Sequence, residues 1–421
     1  MKMKSKILLC LFLVISLFGC NINEQSSSKI QNTTDAVNNN EIASLHNKTI
    51  SIFNLDNQVI GEICCFTFSN LFDNNILYTK LPQDSPSSTI DLEYWIYNIP
   101  NQTDTYVGTV KDWMYEASYE SIYVDDHLYI SVSTGDYIER TQRKQIIYDI
   151  NLTDYTMLPI LEVNGGVPYN SFTIIDNMLY LAELLENGDT DLIKLNLSDI
   201  YKNAPIVHEY DESKIFVNDS IRHISSDDNY VYLLRLDWNE NKDYFLYVDT
   251  YDKDFNLLKT IEMSDACIPV EYSLTEDDIE NELKQWVAYF EVNEQYIFYK
   301  NFSATSFLGQ IMDNKSKPLI KTNSLFDMVK ETTFCPDTDY FIQTYGEESN
   351  NRNVFFRTDL KSGEISSAVF YADDERYTFT SASRNDTNMV LLQMSSVRLN
   401  TNDEVLPERL YYFNLDDLEF N

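Results

Sequence analysis

Apolar and polar residues alternate in a recurrent unit along most of the chain. Each unit opens on an Asp/Asn-rich turn and runs into a short aromatic and aliphatic stretch. The clearest copies are Asp73-Asn74-Asn75-Ile76-Leu77-Tyr78, Asp125-Asp126-His127-Leu128-Tyr129, Asp176-Asn177-Met178-Leu179-Tyr180 and Asp227-Asp228-Asn229-Tyr230-Val231-Tyr232. Fainter copies span 293–298, 337–342 and 386–391. Measured at their last residues, the units stand 51, 51, 52, 66, 44 and 49 residues apart. After a polar gap a second apolar run follows most of them, as at 94–99, 146–150, 192–197, 244–248, 354–359 and 410–415. These runs are β-branched and aromatic and are bounded by Asn, Asp and Gly, the pattern of short strands joined by turns. A further strand often closes the unit, as at 206–209 or 257–261.

Three or four antiparallel strands repeating near fifty residues is the pattern of a propeller blade. A lone blade leaves both faces of its sheet bare, and stacking around a ring covers them. The pattern predicts an all-β fold, a β-propeller of seven blades over residues 46–421. The strand at 49–55 is expected to complete the last blade after Leu415. The chain resembles the β-propeller superfamily, including propeller-like domains of bacterial surface lipoproteins, without a recurring Trp-Asp, kelch glycine or Asp-box signature. Two β-sandwiches side by side are the rival, and the constancy of the first three steps argues against them.

The 66-residue step has a local cause. Residues 274–285 read as a short helix, with Thr275 as N-cap, acidic residues in the first turn and an apolar stripe of Leu274, Ile279, Leu283 and Trp286. The expected role is a rim insertion of about fourteen residues, the difference between 66 and the usual 52.

The N-terminal twenty residues break the pattern. Lys2, Lys4 and Lys6 precede an apolar run from Ile7 to Phe18, which ends on Gly19-Cys20. The run is shorter than the ~20 residues of a membrane span and suits a secretory signal. Leu17-Phe18-Gly19-Cys20 resembles a bacterial lipobox. That resemblance implies removal of residues 1–19 and a diacylglycerol on Cys20, hence an extracytoplasmic protein anchored to the membrane. Two or more acyl chains hold durably where one holds marginally. Residues 20–45, with Ser26-Ser27-Ser28 and Asn38-Asn39-Asn40, lack the apolar surface to offset ordering and are expected to act as a flexible tether.

Charge narrows the partners. The chain carries a formal −36, and −39 without the three signal lysines. Such a field opposes nucleic acid, whose binding rests on Lys and Arg, and disfavours direct contact with anionic lipid. Solubility alone accounts for much of it. Of six cysteines, Cys64, Cys65, Cys267 and Cys335 remain for buried packing or a disulfide, and their spacing resembles no zinc signature.

Reaction chemistry is sparse. The four histidines, His46, His127, His208 and His223, form no metal spacing, and ten glycines leave no phosphate-cradling loop. The acidic stretches 187–191 and 249–252 depart from an EF-hand and read as turns. No catalytic residue, metal or cofactor is expected. Trp113 and Trp238 are the candidate ligand anchors, by the enrichment of Trp at binding hot spots. The expected function is non-enzymatic binding or scaffolding of a protein or glycan. A propeller glycoside hydrolase and an accessory or sensor subunit of a membrane complex are the alternatives.

Overall fold

The Asp/Asn turns form tight hairpins because their backbones visit the left-handed region. Asp73, Asp125, Asp126, Asp176, Asn177 and Asp313 have φ between 47° and 64°, where Asp and Asn are the side chains best tolerated. The computed structural model describes residues 51–54, 69–80, 91–101, 103–116, 121–135, 144–164, 171–184, 190–203, 214–219, 221–238, 244–263, 287–301, 306–322, 331–334, 340–346, 352–371, 377–384, 389–396 and 409–421. The expected signal peptide, Cys20, the tether, the four other cysteines, the strand at 206–209 and the helix over 274–285 lie outside the described residues.

The described chain is nearly all β, in seven successive groups of antiparallel strands. Group one holds β2 (Ser69–Phe72), β3 (Asn75–Lys80), β4 (Leu92–Asn98) and β5 (Thr103–Val110). In group two, β6 (Trp113–Glu116) and β7 (Ile122–Val124) both pair with β8 (His127–Thr134), followed by β9 (Lys144–Asn151) and β10 (Thr156–Asn164). Group three holds β11 (Ser171–Ile175), β12 (Met178–Leu184), β13 (Thr190–Asn196) and β14 (Lys214–Asp219). Group four is β15 (Ile221–Ser226), β16 (Val231–Trp238), β17 (Tyr244–Tyr251) and β18 (Leu257–Glu262). Group five is β19 (Val287–Val292), β20 (Tyr296–Asn301), β21 (Ser306–Met312) and β22 (Lys315–Thr322). Group six is β23 (Glu331–Phe334), β24 (Tyr340–Gly346), β25 (Arg352–Asp359) and β26 (Ile365–Tyr371). Group seven joins β27 (Tyr377–Arg384), β28 (Met389–Ser396) and β29 (Arg409–Asn414) to β1 (Ser51–Asn54), which pairs antiparallel with β29.

Groups four and five share one continuous eight-stranded sheet, because β18 and β22 meet in a single parallel bridge at Glu262 and Lys315. A helix not expected from the sequence, α1 (Leu197–Asn203), follows β13. Asn196 accepts from the Ser198 N–H at 2.9 Å, and Leu197 and Ile200 bury the helix against the sheets. Its two apolar anchors are too few to register as a helical stripe.

Packing follows the order of the groups. Leu77, Tyr94 and Ile96 of group one meet Leu128, Ile130 and Val132 of group two. Tyr129 and Ile147 on the opposite face of group two meet Leu179, Leu181 and Ile193 of group three. Group three meets four through Tyr180, Leu192, Ile224 and Leu233, and four meets five through Leu234, Val248, Phe290 and Ile297. Phe298 of group five packs with Phe341 of group six at 4.6 Å between ring centroids. Phe370 of group six stacks on Phe413 of group seven at 5.2 Å. Tyr412 of group seven then packs with Leu71, Ile76 and Tyr78 of group one, and its hydroxyl reaches Asn74 Oδ1 at 3.3 Å. The sequence of contacts is therefore cyclic. First strands abut as well: β7 with β11, β11 with β15, β15 with β19, β23 with β27, and β27 with β2.

Both faces of a group are thus apolar, and each fully buried Leu, Ile or Phe contributes about 1.5–3 kcal/mol. The outer strands of groups one and two also approach closely. A Cβ built on Gly108 of β5 stands 2.8 Å from the Met157 sulfur of β10. Gly108→Val is expected to destabilise the fold by about 1–3 kcal/mol through overpacking. Met157→Ala in the same chain should recover part of that loss in a thermal melt; a melt unchanged by Gly108→Val contradicts this packing.

Candidate functional site

The interface between groups two and three carries the chain's densest described set of buried polar side chains. Strand alternation sets who faces it. From group two come His127, Tyr129, Ser131 and Ser133 of β8, with Asp149, Ile147 and Gln145 of β9 directly opposite the last three. From group three come Leu179, Leu181 and Glu183 of β12, with Asp191 and Ile193 of β13. Apolar residues fill the middle, and polar clusters occupy the two ends.

At the end near the Asp125-Asp126 turn, Asp149 is buried and is bonded by two side chains, His127 and Tyr201. His127 Nδ1 stands 2.8 and 3.0 Å from its two oxygens. The Tyr201 hydroxyl of α1 donates to Asp149 Oδ2 at 2.7 Å, and Tyr129 OH lies 3.0 Å from Tyr201 OH. Burial pushes the Tyr201 phenol far up, and its bonds to Tyr129 and Asp149 add to the rise. The His127 side chain is 31 % exposed, and its Nε2 has no protein partner among the described residues. A carboxylate that holds Nδ1 fixes the orientation of the ring. No Ser or Cys nucleophile lies within bonding reach of it among the described residues.

At the other end, Glu183 sits directly across the strand pair from Asp191. Lys214 Nζ of β14 lies 2.7 Å from Asp191 Oδ2, and Asp191 is 2 % exposed. Burial pushes the Glu183 carboxyl up; the Lys214 ammonium opposes the rise and the Asp191 carboxylate adds to it. Gln145 Nε2 donates to Ser131 Oγ at 2.6 Å on the facing sheet, and the buried Ser133 hydroxyl has no hydrogen-bond partner among the described residues.

First strands are tied to one another by small hydroxyl groups. Thr173 Oγ1 and Ser226 Oγ are 2.5 Å apart, and the Ile224 N–H donates to Ser171 Oγ at 2.8 Å. His223 of β15 is fully buried against Phe290, and burial lowers its imidazole to about 4.

Of the two expected anchors, Trp113 belongs to the apolar core between groups one and two and offers no open ring to a ligand. Trp238 ends β16 opposite Tyr244, and its side chain lies outside the described residues. The described carboxylates of the two acidic stretches have protein partners. Asp191 is held by Lys214, Asp249 is bonded by Arg235 and by Thr260 Oγ1 at 2.6 Å, and Asp252 closes a turn by accepting from the Asn256 N–H at 2.7 Å. Among the described residues no group of three or more His, Cys, Asp or Glu could hold a metal ion. The Glu183, Asp191 and Lys214 cluster escaped sequence reading because Lys214 stands 23 residues beyond Asp191, and only the β13–β14 pairing joins them.

No protein-family model matches the chain, and no curated protein is similar to it. Among solved structures, it is similar to a crystal structure of the computationally designed Ika8 protein, at 9% identity and a TM-score of 0.41 over 82% of each chain. It is also similar to a chain in a crystal structure of a Mitotic Checkpoint Complex, at 11% identity and a TM-score of 0.45, covering 87% of this chain and 94% of that one. Likeness at this level carries no statement about activity.

Two opposite pH effects follow. Glu183 has a raised value in the folded chain, so its contribution is complete below the ordinary carboxylate range near 4.3 and is lost as pH rises through the folded value. Glu183→Gln should flatten that alkaline loss in melts run from pH 4 to 9; an unchanged slope contradicts the assignment. His223 has a lowered value, so its contribution is complete above about 6.5 and is lost as pH falls toward 4. The loss amounts to about 3 kcal/mol. His223→Leu should remove that acid limb, and retention of it places the acid transition elsewhere.

Proposed function

We propose that the chain is a seven-bladed β-propeller, one blade per strand group, tethered through acylated Cys20 at an extracytoplasmic membrane surface, where it scaffolds a protein or glycan ligand without catalysing a reaction. The observation that carries the architecture is the cyclic packing, in which Tyr412 of the last group meets Asn74 and Tyr78 of the first. A seventh sheet completed by a strand from the other end of the chain, as β1 completes β27–β29, is the means by which such a ring is fastened. Among the described residues no helix is long and apolar enough to cross a membrane; the anchor in this reading is the lipid on Cys20, expected from the lipobox resemblance. Ser51, where β1 starts, lies 31 residues beyond Cys20. The expected tether, acting as a flexible coil of that length, would reach about 30 Å root-mean-square and would lead into β1, the end strand of its sheet.

Scaffolding over catalysis is supported by how the buried acids are used. Asp149, Asp191 and Asp249 are each occupied by a cationic or hydroxyl hydrogen-bond partner from another element. Buried charges of this kind hold neighbouring strands in register, and removing one partner costs about 3–5 kcal/mol. The net charge favours a basic or neutral partner over nucleic acid.

The hydrolase reading has one observation in its favour. Burial pushes the Glu183 carboxyl up, and its cross-strand neighbour Asp191 is paired with Lys214, so two carboxyls in different surroundings stand side by side, as glycoside hydrolysis requires. The deep burial of Asp191 weighs against it.

Two measurements test the proposal. In the intact cell the protein should enter the detergent phase on phase partition and carry a lipid label, and Cys20→Ser should lose both. Partition unchanged by Cys20→Ser ends the anchored reading. Solubilised envelope passed over the purified chain, together with a glycan array, should retain a specific partner. Release of reducing sugar that vanishes in Glu183→Gln replaces scaffolding with hydrolysis.

A further inference from the structure

After β29 the chain turns back toward the preceding group. Leu415–Asp417 form a 3-10 turn capped by Asn414, and Leu415 and Leu418 are buried. The segment then reaches the free edge of β26. The Asn421 N–H donates to Ser367 O at 3.0 Å, and the Ser367 N–H donates to Asn421 O at 3.0 Å. This reciprocal pair is the signature of an antiparallel strand pairing. Phe420 lies over the Arg357 guanidinium at 4.2 Å, and the ring of Tyr340 lies 4.8 Å from the same group. Arg357 is therefore held between two aromatic rings, an attractive arrangement for a guanidinium.

Only a fraction of the edge is used. Ser366, Ala368 and Phe370 stand opposite Arg357, Phe355 and Asn353. The Asp359 N–H bond to Glu364 O at 2.9 Å fixes the alternation, so these residues bond inward. Ile365, Ser367, Val369 and Tyr371 direct their backbone groups outward, and among the described residues only Ser367 has a backbone partner there. Ile365 and Tyr371 are 44 % and 46 % exposed. An outer strand with free backbone groups and an apolar stripe is a template for one more strand.

We infer that the outer edge of β26 binds an extended apolar peptide whose aromatic residue stacks on Arg357, and that Leu415–Asn421 covers this edge as a displaceable plug. The seated segment shows both the register and the aromatic requirement. Because the 3-10 turn leaves the edge before Val369, the plug makes one reciprocal backbone pair where a longer strand has four outward residues to use. The competitor is a partner's strand of alternating apolar residues with an aromatic in the Phe420 position. This inference does not depend on the anchor or on the ring being a propeller.

The test uses the full chain and a labelled peptide copying Leu415–Asn421 with Asp416, Asp417 and Glu419 replaced by their amides, which removes repulsion from a chain of net charge −36. Phe420→Ala, which loosens the plug, should bind the peptide at least tenfold more tightly than the unaltered chain. Adding Arg357→Ala should abolish that gain. Equal affinity of Phe420→Ala and the unaltered chain overturns the inference, as does a gain that survives Arg357→Ala. Hydrogen exchange on the unaltered chain guards against a folding defect in either variant. The Ser367 amide should exchange well before those of Ala368 and Phe370, and equal protection of the three overturns the plug.

Discussion

Everything in this chain depends on sheets that are apolar on both faces. In group two, Leu128, Ile130 and Val132 point one way and Tyr129 and Ile147 the other, and both sets are buried. A free sheet of this kind would expose both of those faces to water at a cost comparable with the whole stability of a domain. Each group therefore needs two neighbours, and a linear stack would leave its first and last faces bare. The contact of Tyr412 with Leu71, Ile76 and Tyr78 covers those two faces with one another. The same reasoning accounts for β1: among the described residues the last group has three strands of its own, and Ser51–Asn54 supply a fourth.

Polar groups are fitted around this apolar requirement. The tyrosine that ends the clear repeat units is buried in all four, yet its hydroxyl finds a different solution in each. Tyr78 donates to Asp104 at 2.7 Å, Tyr232 donates to Asp227 at 2.6 Å, and Tyr129 shares with Tyr201. Tyr180 OH has no hydrogen-bond partner among the described residues, and its ring stacks on Phe255 with Lys194 over it. The ring volume is what repeats; the hydroxyl is accommodated locally. Much of the negative charge has an equally local origin, since Asp is repeatedly used where a hairpin demands positive φ or where a turn needs a side-chain acceptor.

Strands were legible from the sequence because their signals are short-range. The turn at Asp176-Asn177 and the apolar run after it mark β12 without any knowledge of its neighbours, and the same holds for β3, β8 and β16. The run at 49–55 was legible as a partner for the last sheet, and pairing of Ser51–Asn54 with Arg409–Tyr412 follows it. What the sequence hid are features set by contacts distant in the chain. Asp149 meets Tyr201 across 52 residues, and Lys214 reaches Asp191 only through strand pairing. Trp113 looked available because it stands beside a loop, but the interface of groups one and two encloses it. Helix α1 was missed because two apolar anchors in seven residues make no periodic signal.

The most direct test of the account is the distance between its first and last sheets. Spin labels at the exposed Asp73, beside Asn74, and at the exposed Asp416, beyond Tyr412, report on it by pulsed electron resonance. Cyclic packing predicts one short, narrow distance distribution that broadens only when the whole fold melts. A broad or long distribution under native conditions, or one that opens while the sheets remain intact, contradicts it.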